Sequence, residues 1–402
     1  MSLLKDIEPI KTNDFLRDKF KDYYSNAEII LPPRFTSREW GFLDWNGRGM
    51  RRHIKFSSKD DARKYLQNNT PAHCYHSLAY YINPGKNSMI EKKWQGADLI
   101  FDLDADHLPE MKDVFSGRIT FSQLMEYIKE QTSRLVNDVL LGDFGLDEKD
   151  LLIVFSGGRG YHVHVRDKRV MDLPSGARRE IADYLTSTGI DEKLLLNDEG
   201  YINRTFGEKN KFYQEKYTLP TETTPGWKGL VSSKIQRDIE DILYNKDDHF
   251  NGWMKLLNIS EKNAKKIKNK KKPKETFDAL LPSYKIRLVR KALKAIQIFP
   301  DEPVTGDIHR LIRLPGSLHG KTGLMVQTLT RKELESFDPY KTPIAFGTKP
   351  VKIRSNFQTR EGKGKKMMGN EFEIKEGEIT ELPEFAAIYF MAMKFATICL
   401  ET

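Results

Sequence analysis

The chain reads as an α/β (α+β) fold with mixed sheets flanked by helices and a mainly helical subdomain inserted into the sheet domain. Three observations predict this. Two short apolar runs, at 97–103 (ADLIFDL) and 151–155 (LLIVF), have the length and composition of buried strands, with helical periodicity over 119–141 between them. From about 173 to 294 polar, helix-forming sequence dominates, with Trp227, Trp253 and a lysine run within it. Strand-like patterning returns over 310–330 (RLIRLPGSLHGKTGLMVQTLT), so the later segment completes the sheet domain begun by the first.

The elements follow in order. Over 12–25, Phe15, Leu16, Lys19, Phe20 and Tyr23 recur at helical spacing, and Thr12 or Asn13 can cap the start. After Pro32 and Pro33, Asn46-Gly47 lies between two strand-like runs and predicts a hairpin turn. A helix-like segment at 58–68 precedes a β-type stretch, CYHSLAYYINP. In the 119–141 segment Leu124, Tyr127, Ile128, Leu135, Val139 and Leu140 carry the helical stripe, and strand, helix, strand suggests a crossover connection. Residues 355–380 are polar and rich in Gly, Lys and Glu, which reads as a linker, and the last twenty residues form an apolar helix that packs as core. The domain expectation is therefore 1–172 and 295–350 for the two parts of the sheet domain, 173–294 for the helical insertion, and 351–402 for linker and terminal helix. No internal repeat is evident.

Composition bounds the function. With 402 residues, 31% charged and 39% apolar, the chain is long enough for two to three structural units and has the balance of a soluble globular protein. The first fifteen residues carry charges where a signal peptide needs an apolar stretch, and the apolar segment 385–400 is interrupted by Lys394 and falls short of the ~20 residues of a membrane helix. The expectation is a cytoplasmic protein with no membrane partner. Cys74 and Cys399 are its two cysteines, too few for a disulfide framework or a Cys-x-x-Cys zinc site. The net charge of +9 permits nucleic acid, but eight lysines lie in 262–274, a run that is most often a solvated loop. Such a tract adds salt-sensitive phosphate affinity without geometry.

Three motifs can carry chemistry. In Gly96-Ala-Asp-Leu-Ile-Phe-Asp-Leu-Asp-Ala-Asp-His107, strand alternation puts Asp102 and Asp104 on one face, about 6.6 Å apart along the chain, with Leu99, Phe101 and Leu103 on the other. Two carboxylates fixed this way repel unless a cation lies between them, and the spacing suits paired divalent ions about 3.5–4 Å apart in phosphoryl transfer. Taken alone, the pair could equally be a strand end meeting solvent. Asp98 lies deeper and Asp106 past the end, and both read as bystanders. The second motif, Ser156-Gly-Gly-Arg-Gly-Tyr-His162, follows the LLIVF strand. Its glycines allow a sharp turn with amides converging on an anion, Arg159 can fork onto a phosphate, Ser156 can donate a hydroxyl, and His162 stands on the next strand facing the same space, with His164 two residues on. It ends in neither Gly-Lys-Ser/Thr nor a dinucleotide fingerprint. The third, Asp301-Glu302-Pro303-Val304-Thr305-Gly306-Asp307 followed by Arg310, Arg313, His319 and Lys321, offers another carboxylate and several cations suited to a metal-bound triphosphate. Together, with no candidate covalent nucleophile or water-activating base, the motifs favour nucleotidyl transfer on a polyphosphate over hydrolysis.

The set FDLDADH, SGGRGYH and DEPVTGDIHRLIRLPGSLHGKTG, in that order and with REWGF near the start, resembles the catalytic small subunit of archaeal and eukaryotic DNA primase, the archaeal branch in particular. The resemblance covers most of 10–350. It implies a primase-type catalytic domain: a template-dependent polymerase using two divalent metals, Mg²⁺ or Mn²⁺. Asp102 and Asp104 match the family's strand aspartates. Asp301, eighteen residues before His319, matches the third, with Asp307 as the alternative. Ser156, Arg159, His162 and His319 match residues that hold the incoming triphosphate. Arg52 in RRHIKF looks like the family's nucleotide-contacting arginine, beside Arg51, and Arg313 occupies a position that is basic in relatives. The resemblance also implies single-stranded DNA template, NTPs and dNTPs as substrates, primer synthesis for DNA replication, and an iron–sulfur-containing large subunit as partner in a heterodimer. Many relatives carry a Cys/His zinc knuckle after the catalytic aspartates. Here 107–142 has no cysteine, and His73, Cys74 and His76 on one strand cannot all face one ion, so no structural zinc is expected.

Other classes stay open at this stage. LIFDLDADH superficially looks like the nucleophile strand of a haloacid-dehalogenase-type phosphatase, although Ala-Asp-His replaces that family's usual continuation. A repair primase-polymerase of the same superfamily is a further enzyme reading, and a non-enzymatic nucleic-acid-binding accessory protein using the lysine run is a third class.

Overall fold

The computed structural model describes residues 2–27, 29–45, 47, 49–108, 118–206, 210–244, 249–267, 272–359 and 364–399. The chain divides into two compact units: the first comprises residues 1–133, 147–180 and 300–402, the second 134–146 and 181–299.

The first unit is built on two four-stranded antiparallel sheets. In one, the strand order is Leu311–Arg313, His73–Ser77, Trp40–Leu43, Met50–Ile54; in the other it is Gln327–Leu329, Leu151–Phe155, Gly160–Val165, Leu99–Asp104. The segment 311–329 thus enters one sheet and leaves through the other, which places the His319 loop between them. The expected hairpin is the pair Trp40–Leu43 and Met50–Ile54, although Asn46 of its turn lies outside the described residues. The expected crossover is also present, with a qualification. Leu99–Asp104 and Leu151–Phe155 run parallel but do not touch, because Gly160–Val165 lies between them, antiparallel to both.

Packing explains the elements. In the helix Ser2–Asn26, Leu16, Phe20 and Tyr24 recur every fourth residue and are buried, Phe20 and Tyr24 in one cluster with Trp40, Phe42 and Cys74 of the first sheet. That helix starts well before residue 12 and contains Pro9, which reads as a breaker. Thr12 therefore caps nothing: it is buried mid-helix, and its hydroxyl oxygen accepts the Ile398 N–H at 2.9 Å. Helix Lys59–Asn69 begins at a capping box made by Ser58 and Asp61. Leu78, Ile100, Val304 and Ile312 form a buried cluster joining both sheets to the short helix Glu302–Gly306.

The stretch expected as a linker is instead structured. Pro350–Ser355 pairs with Ile379–Pro383 on one side and Ala396–Ile398 on the other, and Lys365–Met367 pairs with Asn370–Phe372; 360–363 lie outside the described residues. Polar composition misled because these strands are short and half exposed, so their pairing is set by distant partners and not by local pattern. The terminal helix is shorter than the twenty residues expected: it spans Glu384–Ala392, all nine buried as core packing requires, and gives way to the strand Ala396–Ile398. No helix among the described residues is long and apolar enough to cross a membrane.

The second unit has its own core. Helices Trp227–Tyr244, His249–Leu257, Glu261–Ile267, Pro273–Asp278 and Pro282–Ile296 bury Trp227, Val231, Trp253, Phe277 and Val289 together. A long antiparallel pair, Asn197–Phe206 with Asn210–Thr218, adds β structure to a segment expected to be mainly helical. Of the lysine run, 268–271 lie outside the described residues.

Candidate active site

A cavity of about 610 Å³ in the first unit is lined by Asp102, Asp104, Ser156, Gly158, Arg159, His162, Arg313 and His319, joined by Phe121, Lys321, Thr322, Tyr340, Lys365, Tyr389 and Met393. Its size suits a nucleotide-scale ligand. The three sequence motifs, far apart in the chain, meet here.

The carboxylate strand is anchored from behind. Asp98 is fully buried and pairs with the equally buried Arg38 at 2.8 Å, while Tyr80 donates to its second oxygen at 2.6 Å. Arg178, also fully buried, donates to the carbonyls of Asp98 (2.7 Å) and Ala97 (2.9 Å). Asp98 is thus the structural foot of the strand. From there the pleat carries Asp102 opposite His162 and Asp104 opposite Gly160 on the neighbouring strand. His162 Nε2 stands 3.6 Å from Asp102 Oδ1.

The glycine turn is dictated by close approach. Ser156 N–H donates to the Gly160 carbonyl at 3.0 Å, closing a tight loop, and Gly157 has φ +76°. A Cβ on Gly157 would lie 2.7 Å from His319 Cβ, and one on Gly160 would collide with the Leu103 carbonyl and Asp104 Cα. Only glycines let this loop lie against both the carboxylate strand and the His319 loop. Thr322 fastens the two loops: its hydroxyl donates to the Gly157 carbonyl at 2.6 Å and lies 3.1 Å from His319 Nδ1. Arg313 donates to His73 Nδ1 at 2.7 Å, and the His73 ring packs edge-on against His319 with centroids 4.9 Å apart. His73 is therefore a support of this site. Cys74 instead sits against Tyr24, and His76 against His164, so the three do not share one direction.

Asp301 is brought in by a backbone hitch, its N–H donating to the Asp102 carbonyl at 2.8 Å, and its side chain caps helix Glu302–Gly306. Burial first, then the charges of Asp104 and Asp301, pushes the Asp102 pKa up to about 7. Asp307 is turned to a different task, accepting the His309 N–H at 2.8 Å. Three carboxylates, one of them partly desolvated and raised by the other two, are the hard-oxygen donor set that divalent cations take. Among the described residues no three His, Cys, Asp or Glu side chains already stand as a closed ion cage, so the fit rests on donor chemistry. The histidines are neutral: burial, then Arg313, lowers His162 to about 3, and burial with Arg313 and His73 lowers His319 well below its ordinary value.

Asp301, although hitched to Asp102, is not among the residues that line the cavity, and three arginines sit differently from expectation. Arg52 does not line the cavity; its guanidinium pairs with buried Glu39 at 3.0 Å, which Lys92 also engages. The Arg51 guanidinium is bound to Asp44 at 2.7 Å. Arg159 does line the cavity but pairs with Asp106, so Asp106 is the resting partner of the expected phosphate ligand. Sequence reasoning missed Phe121, Tyr340, Lys365, Tyr389 and Met393, none of which stands in a motif. Tertiary packing alone brings them in.

Comparisons with known proteins identify the family. The family model described as DNA primase small subunit matches residues 101–330. The chain is 39% identical to the DNA primase small subunit PriS of Methanothrix thermoacetophila, over 96% of this chain and 99% of that one. It is 38% identical to PriS of Methanococcoides burtonii (95% and 97%) and 34% identical to PriS of Haloarcula marismortui (95% and 97%). A match this long, which takes in the strand carboxylates and both loops, places the chain in the DNA primase small subunit family.

Proposed function

We propose that this chain is the catalytic subunit of a DNA primase, a template-dependent nucleotidyltransferase that makes short RNA primers and extends DNA. The observation that carries the reading is the meeting of Asp102 and Asp104 with Ser156, Arg159, His162 and His319 in one cavity, hitched by backbone to Asp301. Asp102, Asp104 and Asp301 would hold two Mg²⁺ or Mn²⁺ ions, which neutralise the triphosphate and lower the pKa of the attacking 3′-hydroxyl. The chain's own residues bind and align. Ser156 and the Gly157–Gly158 turn offer a hydroxyl and amides to the triphosphate, and Arg159 exchanges Asp106 for phosphate. Neutral His162 and His319 hydrogen-bond without adding charge, while Arg313 and Lys321 supply the field that favours pyrophosphate departure. Arg52, held by Glu39, would reach nucleotide outside the cavity. A single-stranded DNA template, NTPs and dNTPs are the substrates in this reading, and an iron–sulfur-containing large subunit is the partner; the small-subunit name of the relatives supports a large subunit as such.

The test is incorporation of labelled dNTPs and NTPs on a primed single-stranded template with Mg²⁺ or Mn²⁺. The proteins compared are wild type, Asp102→Ala/Asp104→Ala and Asp301→Ala. Template-directed extension lost in both variants without unfolding is the expected result. No incorporation with any metal, with or without the large subunit, would sink the reading, and a trapped phospho-aspartate would replace it with the phosphatase. Loss in the double variant alone would move the third ligand, with Asp307 next to be tested.

A further inference from the structure

One wall of the cavity has no task in the reaction just described. Tyr340, Lys365, Tyr389 and Met393 all follow residue 330, where the match to the family model ends. The Lys365 ammonium lies 3.0 Å from the centroid of the Tyr340 ring and 5.1 Å from that of Tyr389, two rings set edge-to-face at 6.1 Å. Among the described residues no carboxylate pairs with it. Burial pushes its pKa down to about 7 against the weaker pull of Asp338.

The strand Lys365–Met367 shows that this placement is specific. Met367 is buried on the inward face with Lys365, whereas Lys366 points to solvent. An ammonium taken out of water without a carboxylate is costly, and two aromatic faces compensate in part. A lysine is held so where an anion will arrive to complete it. The cavity already gathers Arg159, Arg313 and Lys321, so the arriving group is polyanionic.

We propose that Lys365 binds a phosphate oxygen of the substrate in this cavity, with Tyr340 and Tyr389 fixing its ammonium. Lys365 is then a substrate-binding residue contributed from outside the segment that the family model matches. The inference rests on the nucleotidyl-transfer reading. The phosphate belongs either to the incoming triphosphate or to the nucleic-acid backbone, and the experiment separates these.

Wild type, Lys365→Met, Lys365→Arg and, as control, Lys366→Met are compared in the full chain. Extension kinetics give KM for nucleotide and for primer–template. Fluorescence anisotropy reads a labelled nucleoside triphosphate without DNA, and labelled primer–template without nucleotide. Lys365→Met should raise one KM and weaken the matching binding by ~10-fold or more, as loss of a charge-assisted hydrogen bond does. The turnover number should change much less, Lys365→Arg should recover most of the loss, and Lys366→Met should match wild type. An effect on free nucleotide assigns the triphosphate; an effect on primer–template with a shallower salt dependence assigns the backbone. Unchanged KM and binding in Lys365→Met, with active wild type, overturns the inference. So does equal damage in Lys365→Met and Lys365→Arg with a lowered melting temperature. If wild type incorporates nothing, the polymerase reading fails, and the two binding measurements still decide whether Lys365 holds phosphate.

Discussion

Arg38 and Asp98 illustrate how much of this site depends on residues that never touch its cavity. Both are fully buried, and the guanidinium also donates to the carbonyls of Ser77 (2.6 Å) and Leu78 (3.1 Å). Asp98→Ala leaves Arg38 without its counter-charge, so about 3–5 kcal/mol of stability should be lost, visible as a lower urea midpoint. A midpoint within experimental scatter of wild type would show that Arg38 finds compensation elsewhere. Gly160 makes the second residue-scale case. Gly160→Ala drives a Cβ into the Leu103 carbonyl and must push the Asp104 segment aside, so extension should fall at least ~10-fold even where circular dichroism is unchanged. Wild-type extension by that variant would show the strands can separate without harm. Asp102, Asp104 and His162 were legible in the sequence because strand parity is a covalent property, fixed before any tertiary contact, and Ser156 because it opens a glycine-rich turn directly after a strand. The pairings of Arg159 with Asp106 and of Arg52 with Glu39 were not, since nothing local tells an arginine which carboxylate will stand beside it.

At the scale of elements, the short helix Glu302–Gly306 ties the third carboxylate to the first two. Asp301 caps it, the side chain 3.4 Å from Val304 N, while its own N–H holds the carboxylate strand. Asp301→Asn keeps a capping oxygen and removes the charge, whereas Asp301→Ala removes both. Both variants should lose extension. Only the alanine should also lose stability, by about 1 kcal/mol; equal melting temperatures would separate Asp301 from the cap. The hairpin Lys365–Phe372 gives a pH test. Its Lys365 ammonium faces Tyr340, Tyr389 and Asp338, and the tyrosines stay neutral here, one raised well above its ordinary value and the other pushed up to about 12. A base whose folded pKa is about 7 and unfolded value 10.5 binds fewer protons when folded between those limits, so its burial penalty is full below pH 7 and relieved as pH rises toward 10.5. Lys365→Met should therefore melt no lower than wild type at pH 6–7, with any advantage shrinking by pH 10. An advantage that grows with pH would contradict the burial argument. This hairpin was illegible because two three-residue strands are too short to show alternation, and polar sequence was read as linker. The 311–329 segment was legible because its apolar pattern and its glycines each mark something fixed locally.

For the whole molecule, the separate core of the second unit explains why that region reads as distinct while its limits do not. Trp227 and Trp253 announce a second hydrophobic centre, but residues 134–146 belong to the same unit through long-range contacts that composition does not record. The same core decides how the lysine run must be tested. Part of the run is helix Glu261–Ile267, where Ala264 is fully buried and Asn263 donates to the Tyr284 hydroxyl at 3.2 Å. Deleting 262–274 would remove core together with charge, and any loss of binding would be ambiguous. Replacing the eight lysines with glutamine removes charge alone. If the run supplies only diffuse phosphate attraction, the slope of log affinity against log salt for single-stranded DNA should become less negative, by about 0.7 for each phosphate no longer neutralised. Extension of a short primed template at saturating DNA should stay within ~2-fold of wild type, because the carboxylates and both loops of the cavity are untouched. Binding abolished together with extension would make the run the principal anchor for nucleic acid and revive the accessory-protein reading. An unchanged salt slope would make it a solvated surface.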